Sequence, residues 1–466
     1  MNRNEILNQI PDIDAFLTVD EMDISTLQLA KTYPELVTVT KIGESRKQHP
    51  LYCLTIGNGK RKALMYGCPH PNEPIGAMML EQLSHILCQN PDFLKELDTT
   101  FYIIKCVDPD GFNLNKGWLK GPFTYENYAS HFFRPNSTAQ VEWTFPIHYK
   151  EYSFEKPIPE TKSIMNLMEQ LKPDFVYTLH NSSFGGVYFY VSHNRKEIID
   201  QLPATAKRAN LPLHLGEPEC AFSKTFAPSI YEFLQATQYY DYYEKNLDGN
   251  PCDYMVCGGS SLDYINTINP DAFVMMCEEP YFYCPESSDL SFSTTMTRRE
   301  AILKGFEERD RIVQKTIAYY TKLQSYADQK SMYMQALAMY ADANDDAKKA
   351  QLSLMDEQPE EFNVPATKAS EFDSLIASPW YALLAFGMLI GCAKETLANT
   401  NNQKAKVELL QMFEECQHFV NQECTRINQQ IPCQPIPIRT LVQVQMESAF
   451  IVLENLDKKE DNKNEN

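Results

Sequence analysis

The chain has 466 residues, of which 43% are hydrophobic and 12% aromatic, with a formal net charge of −20 and a sequence pI of about 4.9. This composition is typical of a globular protein and argues against a disordered chain. The length suffices to bury a large core without disulfides. Lys and Arg form no cluster along the chain, so we expect no nucleic-acid partner and no anionic lipid surface.

Cysteine usage and the first residues indicate a cytoplasmic location. Residues 1–14 are polar and mixed in charge, without the apolar stretch of a secretory signal. The 13 cysteines are odd in number and none forms a Cys-x-x-Cys pair, which favours reduced thiols. Residues 380–393 are almost continuously apolar. That segment is shorter than the roughly 20 residues that span a bilayer, so we predict a buried helix and no membrane partner.

Apolar runs alternate with helical patterns through the first two thirds of the chain. Buried strands are predicted at 63–68, 101–107, 174–179, 187–192 and 272–277. Helical periodicity follows Pro74 and recurs at 160–171, 196–209 and 298–323. This alternation predicts an α/β fold in which a mixed, mostly parallel twisted sheet carries helices on both faces.

The composition changes near residue 331, where long Met-, Ala- and Gln-rich helical patterns begin. We predict a catalytic domain over residues 1–330, an all-helical C-terminal domain or extension over residues 331–456, and a disordered polar tail over residues 457–466. No motif in the C-terminal region indicates a chemistry of its own.

A candidate metal site follows from the ends of three predicted strands. His70-Pro-Asn-Glu73 places an imidazole and a carboxylate three positions apart, in a loop between a strand and a helix. Hydrolytic zinc sites use three such ligands and keep one position open for water. His180, directly after a strand, is the candidate third ligand. His70, His180 and Glu278 each lie just beyond the carboxyl end of a strand, the edge where open α/β sheets form their sites.

These motifs and their order resemble the zinc carboxypeptidase family, which includes pancreatic carboxypeptidase A. The resemblance runs from about residue 20 to 325 and rests on IGES at 42–45, HPNE at 70–73, DPDG at 108–111, LHNS at 179–182, DYMVCGGS at 253–260 and CEEP at 277–280. It implies one zinc ion per chain on His70, Glu73 and His180, with Glu278 as the general base. Strand alternation sends Glu278 and Glu279 to opposite sides, and the family pattern Glu-x-Pro favours Glu278.

The resemblance also implies two substrate-binding residues. Arg134 is the only arginine between the DPDG turn and His180, so it is the candidate for a bidentate contact with the substrate's terminal carboxylate. Tyr254 matches the family's mobile substrate-binding tyrosine.

The sequence departs from the family at other substrate-binding positions. The arginine that the family carries shortly after its NPDG turn is replaced by Lys116 and Lys120, so its role is unassigned or falls to Arg134. Ser261 or Leu262 is expected to line the specificity pocket, which predicts a neutral or apolar terminal side chain on the substrate.

The resemblance implies a zinc metallocarboxypeptidase, a hydrolase that cuts a peptide bond at or near a free C-terminus by Glu-assisted attack of zinc-bound water. One alternative is a zinc amidase or deacylase that acts on small N-acyl amino acids. Another is a peptidase that cleaves γ-D-glutamyl bonds in muropeptides. A third is a non-catalytic scaffold that binds a partner through its C-terminal helices. The expected substrate is accordingly a peptide or a small amide, and the sequence carries no signal for the oligomeric state.

Overall fold

The computed structural model describes residues 2–216, 219–220, 222–341, 346–431 and 434–457. The tail predicted to be disordered over residues 457–466 therefore lies, except for Asp457, outside the described residues. In the described part, the strands in chain order are β1 (Val37–Glu44), β2 (Pro50–Ile56), β3 (Arg61–Gly67), β4 (Thr99–Ile104), β5 (Ile147–Tyr149), β6 (Tyr152–Phe154), β7 (Phe175–Leu179), β8 (Tyr188–Val191), β9 (Thr225–Ala227), β10 (Ile230–Glu232), β11 (Phe273–Glu278), β12 (Phe282–Tyr283), β13 (Phe292–Thr297), β14 (Pro365–Thr367) and β15 (Gln434–Pro435).

The helices of the described chain are α1 (Arg3–Leu7), α2 (Val19–Thr32), α3 (Ile75–Gln89), α4 (Pro91–Glu96), α5 (Pro109–Leu114), α6 (Lys116–Leu119), α7 (Tyr125–His131), α8 (Pro159–Leu171), α9 (Lys196–Ile199), α10 (Pro203–Arg208), α11 (Ala236–Asn246), α12 (Ser261–Asn266), α13 (Arg298–Leu323), α14 (Met332–Tyr340), α15 (Asp346–Glu357), α16 (Pro359–Phe362), α17 (Lys368–Phe372), α18 (Ser378–Leu383), α19 (Ala385–Asn399), α20 (Gln403–Gln430) and α21 (Ile438–Asn455). Short 3₁₀ helices lie at Ser137–Ala139, Val141–Trp143, Pro251–Asp253 and Pro285–Ser288, and a π-helical turn spans Asp373–Ala377.

The main sheet has nine strands in the order β1-β2-β4-β3-β7-β11-β8-β10-β9. Its centre, β4-β3-β7-β11, is parallel throughout. The pairs β1/β2, β2/β4, β11/β8 and β10/β9 are antiparallel. The sheet is therefore mixed with a parallel centre, which confirms the predicted α/β class.

Helices cover both faces of the sheet. Successive side chains of each strand point to opposite sides, so each strand contributes to the packing on both faces. On one face, Ala63 and Met65 of β3 belong to a hydrophobic cluster that includes α3 and α21. On the other face, Leu64 and Tyr66 belong to a second cluster that includes α8 and α12. These central strands are buried on both faces, which explains why they appear in the sequence as continuous apolar runs.

The region after residue 330 is helical, as predicted, apart from the short strands β14 and β15. Most of its buried side chains belong to the same hydrophobic cluster as those of α3 and the sheet. Met355 and Phe362 instead pack with Ile302 and Phe306 of α13 in a separate cluster. The division into domains at residue 330 stays a prediction. One helical stretch, Lys368–Asn399, is long and apolar enough to cross a membrane, but 72% of its most apolar window is buried inside the protein. The predicted buried segment 380–393 lies within this stretch.

Two local differences from the sequence prediction have clear causes. The helix predicted over 196–209 is two short helices, α9 and α10, because Pro203 begins a new helix and cannot continue the previous one. The DPDG segment begins helix α5 instead of forming an isolated turn. The Asp108 side chain caps that helix by accepting a hydrogen bond from the Gly111 backbone N–H at 2.9 Å.

A buried ion pair joins α3 to the segment after β4. Glu81 and Lys105 are 6% and 4% exposed, and the Lys105 Nζ lies 2.5 Å from a Glu81 carboxylate oxygen. His85 and Ser25 also contact the carboxylate. Burial alone would raise the pKa of Glu81, but the contacts with His85 and Lys105 outweigh it and lower the pKa to about 2.

Replacing Glu81 by Gln is expected to lower the free energy of unfolding at pH 7 by about 3–5 kcal/mol, because Lys105 would remain buried without its partner. The folded pKa of Glu81 lies below its value of 4.5 in the unfolded chain. The stabilisation is therefore complete above pH 4.5 and is lost as the pH falls towards 2. Urea unfolding at several pH values measures this. Glu21→Gln, which removes one partner of the exposed pair with Lys120, should cost less than about 1 kcal/mol. Equal losses for both variants would contradict the interpretation.

Candidate metal centre and catalytic cavity

Three neighbouring parallel strands bring the candidate site residues to one edge of the sheet. Gly67 at the end of β3 pairs with Leu179 at the end of β7, and Leu179 pairs with Cys277 near the end of β11. His180 and Glu278 each follow this row directly. His70 lies in the loop that leaves β3. The sheet register thus sets His180 and Glu278 at the same level, and the loop after β3 brings His70 to the same edge of the sheet, where the sequence predicted all three.

The loop between β3 and α3 turns sharply. Cys68 has a φ of 56°, in the left-handed region that non-glycine residues seldom adopt. The Glu73 backbone N–H then donates to the His70 carbonyl at 3.1 Å, which closes the turn that places both side chains on the same side. Gly76 lets α3 approach β7, because a Cβ there would lie 2.4 Å from the Cβ of Leu179.

His70, Glu73 and His180 converge in the protein interior. The two histidine Nδ1 atoms lie 3.1 Å apart. The Glu73 carboxylate oxygens lie 3.0 and 3.1 Å from Nδ1 of His70, and one of them lies 2.9 Å from Nδ1 of His180. All three residues are at most 5% exposed. These are two imidazole nitrogens and one carboxylate whose ligand atoms lie within 4.8 Å of one another.

This donor set fits a tetrahedral zinc ion. Zinc–ligand bonds of about 2.0–2.2 Å place neighbouring ligand atoms about 3.4 Å apart, close to the separations here. Burial, followed by the charge of Arg134, lowers the pKa of His70 to about 3, so its ring is neutral at pH 7. Burial would raise the pKa of Glu73, but the two histidines outweigh it and hold that pKa below its usual value. A neutral imidazole and an ionised carboxylate are the forms that bind a metal.

Glu278 and Glu279 point to opposite sides of β11, as strand alternation predicts. Glu278 lines a cavity beside the His-Glu-His cluster, and one of its oxygens lies 3.9 Å from the His180 Nδ1. Burial, followed by the charge of Glu73, raises the pKa of Glu278 well above its ordinary value. Glu279 is fully buried away from the cavity, and burial alone raises its pKa. Only Glu278 of the pair can therefore act on a substrate in the cavity.

Arg134 also lines this cavity and reaches the candidate metal ligands. One guanidinium nitrogen lies 3.5 Å from a Glu73 oxygen, and another lies 2.9 and 3.0 Å from the ring nitrogens of His70. Its Nε donates to the Gln140 side chain at 3.3 Å. The structure thus places a fixed positive charge at the cluster, where it can pair with an anionic group of a substrate.

The cavity has a volume of about 250 Å³. Its wall includes aromatic side chains that the sequence analysis did not single out, namely Tyr128, Phe132, Trp143, Tyr190, Phe233, Tyr239, Tyr340 and Tyr381. It also includes Glu219, whose carboxylate accepts hydrogen bonds from Tyr188 at 2.6 Å and from Tyr190 at 3.2 Å. These residues come from α7, β8, α11, several loops and the C-terminal helices. They share no spacing that a single sequence would reveal.

Three residues with an expected substrate role lie elsewhere in the described chain. Tyr254 packs against Tyr243 and donates its hydroxyl hydrogen to the Asp248 carbonyl, so the structure does not bring it to the cavity. Its role in substrate binding stays a prediction. Ser261 donates to the buried Glu142 carboxylate, and Leu262 packs in the second hydrophobic cluster. The cavity wall is thus formed by other residues than the expected pair.

Comparison with known proteins identifies one family. The model of a family described as zinc carboxypeptidase matches residues 24–288, more than half of the chain. No curated protein matches the chain. Among solved structures, carboxypeptidase A from Helicoverpa armigera is 15% identical over 60% of this chain and 70% of its own, with a TM-score of 0.38.

Two further solved structures are similarly distant. Bovine thrombin-activatable fibrinolysis inhibitor, solved with tick carboxypeptidase inhibitor, is 16% identical over 56% of this chain and 86% of its own, with a TM-score of 0.34. A metallo-carboxypeptidase from Burkholderia cenocepacia is 14% identical over 57% of this chain and 60% of its own, with a TM-score of 0.36. The assignment rests on the family match, and the chain belongs to the zinc carboxypeptidase family of metallopeptidases.

Proposed function

We propose that this protein is a zinc metallocarboxypeptidase that hydrolyses a peptide bond at or near a free C-terminus. The observation that carries the proposal is the convergence of His70, Glu73 and His180 beside Glu278, on the wall of a cavity that also holds Arg134. The first three residues would donate ligands to one zinc ion per chain. Glu278 would transfer a proton, and Arg134 would bind the terminal carboxylate of the substrate.

The three buried ligands would hold the zinc ion. When bound, zinc polarises a carbonyl as a Lewis acid and lowers the pKa of a bound water towards about 7. Glu278, with a raised pKa, suits a group that accepts a proton from the attacking water at its carboxylate and returns it to the leaving amine. The surrounding cavity wall limits access of bulk water, which strengthens each of these electrostatic contacts.

Arg134 would bind the anionic end of the substrate. Its guanidinium carries two adjacent N–H groups that match a carboxylate. The Gln140 side chain, which accepts from Nε, fixes the orientation of the guanidinium. Because the group also contacts Glu73 and His70, it lies close enough to stabilise negative charge on the carbonyl that is attacked.

Two alternative functions would use the same site. Small N-acyl amino acids, the substrates of a zinc amidase, would fit the small cavity. Muropeptides with a γ-D-glutamyl bond would present a carboxylate to Arg134 in the same way. Activity assays with each substrate class distinguish these functions from the cleavage of ordinary peptides. The cytoplasmic location stays a prediction.

We expect the purified protein to hold one zinc ion per chain after zinc loading and dialysis. His180→Ala should reduce the bound zinc to a small fraction of that amount, because only two donor residues remain. Plasma mass spectrometry measures the metal content. His148→Ala, at an exposed histidine paired with Glu155, is the control and should keep full zinc. Full zinc in the His180 variant would refute the assigned ligand set.

Peptides with a free C-terminus should lose one terminal residue, while the same peptides with an amidated C-terminus should be cleaved poorly, because Arg134 then has no carboxylate to bind. Glu278→Gln should lower kcat/KM by about 10²–10⁴-fold, the usual contribution of a positioned proton-transfer group. Glu279→Gln is the matched control and should stay within about threefold of wild type. Mass spectrometry of the products measures both.

Equal loss of activity in the Glu278 and Glu279 variants would contradict the assignment of the base. If neither peptide series is cleaved by the zinc-loaded protein, the same assay with N-acyl amino acids and muropeptides tests the alternatives.

Glu219 is expected to favour a cationic terminal side chain, because no cation lies within ion-pair distance of it among the described residues. Glu219→Gln should lower kcat/KM for lysine-terminated peptides by about 10–100-fold, the value of a hydrogen bond between charged groups. Leucine-terminated peptides should change little. Glu232→Gln, on β10 and outside the cavity wall, is the matched control. An unchanged preference for lysine-terminated peptides in the Glu219 variant would contradict this role of Glu219.

A further inference from the structure

The C-terminal helical region contributes side chains to the catalytic cavity. Tyr340 at the end of α14, Tyr381 in α18 and Leu384 between α18 and α19 all line the cavity that holds Glu278 and Arg134. The sequence analysis found no chemistry in this region. Its residues nevertheless form part of the wall around the candidate metal ligands.

Both tyrosines interact with segments that carry residues of the candidate site. The Tyr381 hydroxyl accepts a hydrogen bond at 3.3 Å from the backbone N–H of Ser183, three residues after His180. The Tyr340 hydroxyl interacts electrostatically with the Arg134 guanidinium. The tyrosines are thus positioned by the same loops that position the reacting groups.

The wall is packed firmly against the rest of the protein. Trp380, next to Tyr381, is fully buried, and its ring lies 5.0 Å from that of Phe184 in an edge-on arrangement. Gly387 of α19 lets this helix touch α7, since a Cβ there would lie 2.2 Å from the Ala129 carbonyl oxygen. Tyr381 itself is 43% exposed, so the buried aromatic packing and close backbone contact fix the backbone of the wall from which its ring projects.

The cavity is small. Its volume of about 250 Å³ lies below the range of about 300–1,000 Å³ found for pockets that accommodate drug-sized ligands. A peptide that placed its C-terminal bond at Glu278 would share this space with the rings of Tyr381 and Tyr340.

We propose that the C-terminal helical region forms a fixed wall of the catalytic cavity and restricts the enzyme to short peptides and small amides. This inference rests on the proposed function and adds a size limit to it. The substrate class is a molecule of about two residues with a free carboxylate.

The test compares substrates of increasing length that share their last two residues: an N-acetylated dipeptide, a tetrapeptide and an octapeptide. For wild type, kcat/KM should fall at least tenfold from the dipeptide to the octapeptide. Tyr381→Ala and Tyr340→Ala should each raise the ratio of octapeptide to dipeptide cleavage at least threefold, because they remove the rings from the wall. Tyr381→Phe keeps the ring and should leave the ratio unchanged. Tyr326→Ala, at a tyrosine that precedes this region and lies outside the cavity wall, should also leave the ratio unchanged.

Equal kcat/KM for the dipeptide and the octapeptide in wild type would overturn the size limit while leaving the proposed function intact. Length-dependent cleavage that neither alanine variant relieves would overturn the role of the wall.

Binding to the zinc-loaded Glu278→Gln protein, measured by calorimetry, covers the case in which no peptide is cleaved. Dipeptide binding at least tenfold tighter than octapeptide binding would then support the wall although the proposed turnover had failed. Equal binding of both, or binding of neither, would overturn it.

Discussion

The parallel pairing of β3, β7 and β11 is the constraint on which the site depends. Each of these strands leads to one candidate catalytic or metal-binding side chain beyond its carboxyl end, and the register sets the three ends at one level. A shift of one residue in β7 would turn His180 to the opposite face of the sheet, because side chains alternate along a strand. The apolar packing on both faces of the sheet therefore determines the geometry of a polar site.

Burial of the site at this edge of the sheet also shifts the proton affinities of its carboxylates. A carboxylate removed from water is costly unless it is paired, and Glu73 has three partners in His70, His180 and Arg134. Glu278 lies beside this group without a pairing of the same kind, so its proton affinity rises. Two carboxylates in one cavity thus acquire opposite tendencies, one to stay ionised and one to take up a proton.

The sequence predicts the site best where residues follow strands directly. His180 and Glu278 follow directly from the ends of apolar runs. Alternation shows that only one of Glu278 and Glu279 can face the site, and the family pattern Glu-x-Pro favours Glu278. The loop His70–Glu73 is compact enough for its spacing to be informative. By contrast, Glu219 and Tyr190 reach the cavity from a loop and an inner strand, and their meeting depends on the path of the chain between them.

In the C-terminal region too, the sequence predicts local structure but not the contacts between distant elements. Its helical character is evident in the sequence, because helix periodicity is a local property. The position of Tyr340 and Tyr381 depends on how α14 and α18 pack on distant elements, and no local pattern encodes that packing. Tyr254 illustrates the opposite case, in which a sequence motif is present but the side chain is engaged elsewhere, with Asp248 and Tyr243.

The contact between α21 and the edge that carries the candidate metal ligands links this edge to a distant part of the chain. The Gln445 side chain donates to the His180 carbonyl at 3.0 Å, across a separation of 265 residues. Contacts of such sequence separation form late, since the long intervening segment must first be ordered. During synthesis, the strand that carries His180 leaves the ribosome long before the helix that buries it. The surroundings of His180 therefore reach their final form only after α21 has been made and has packed beside β7.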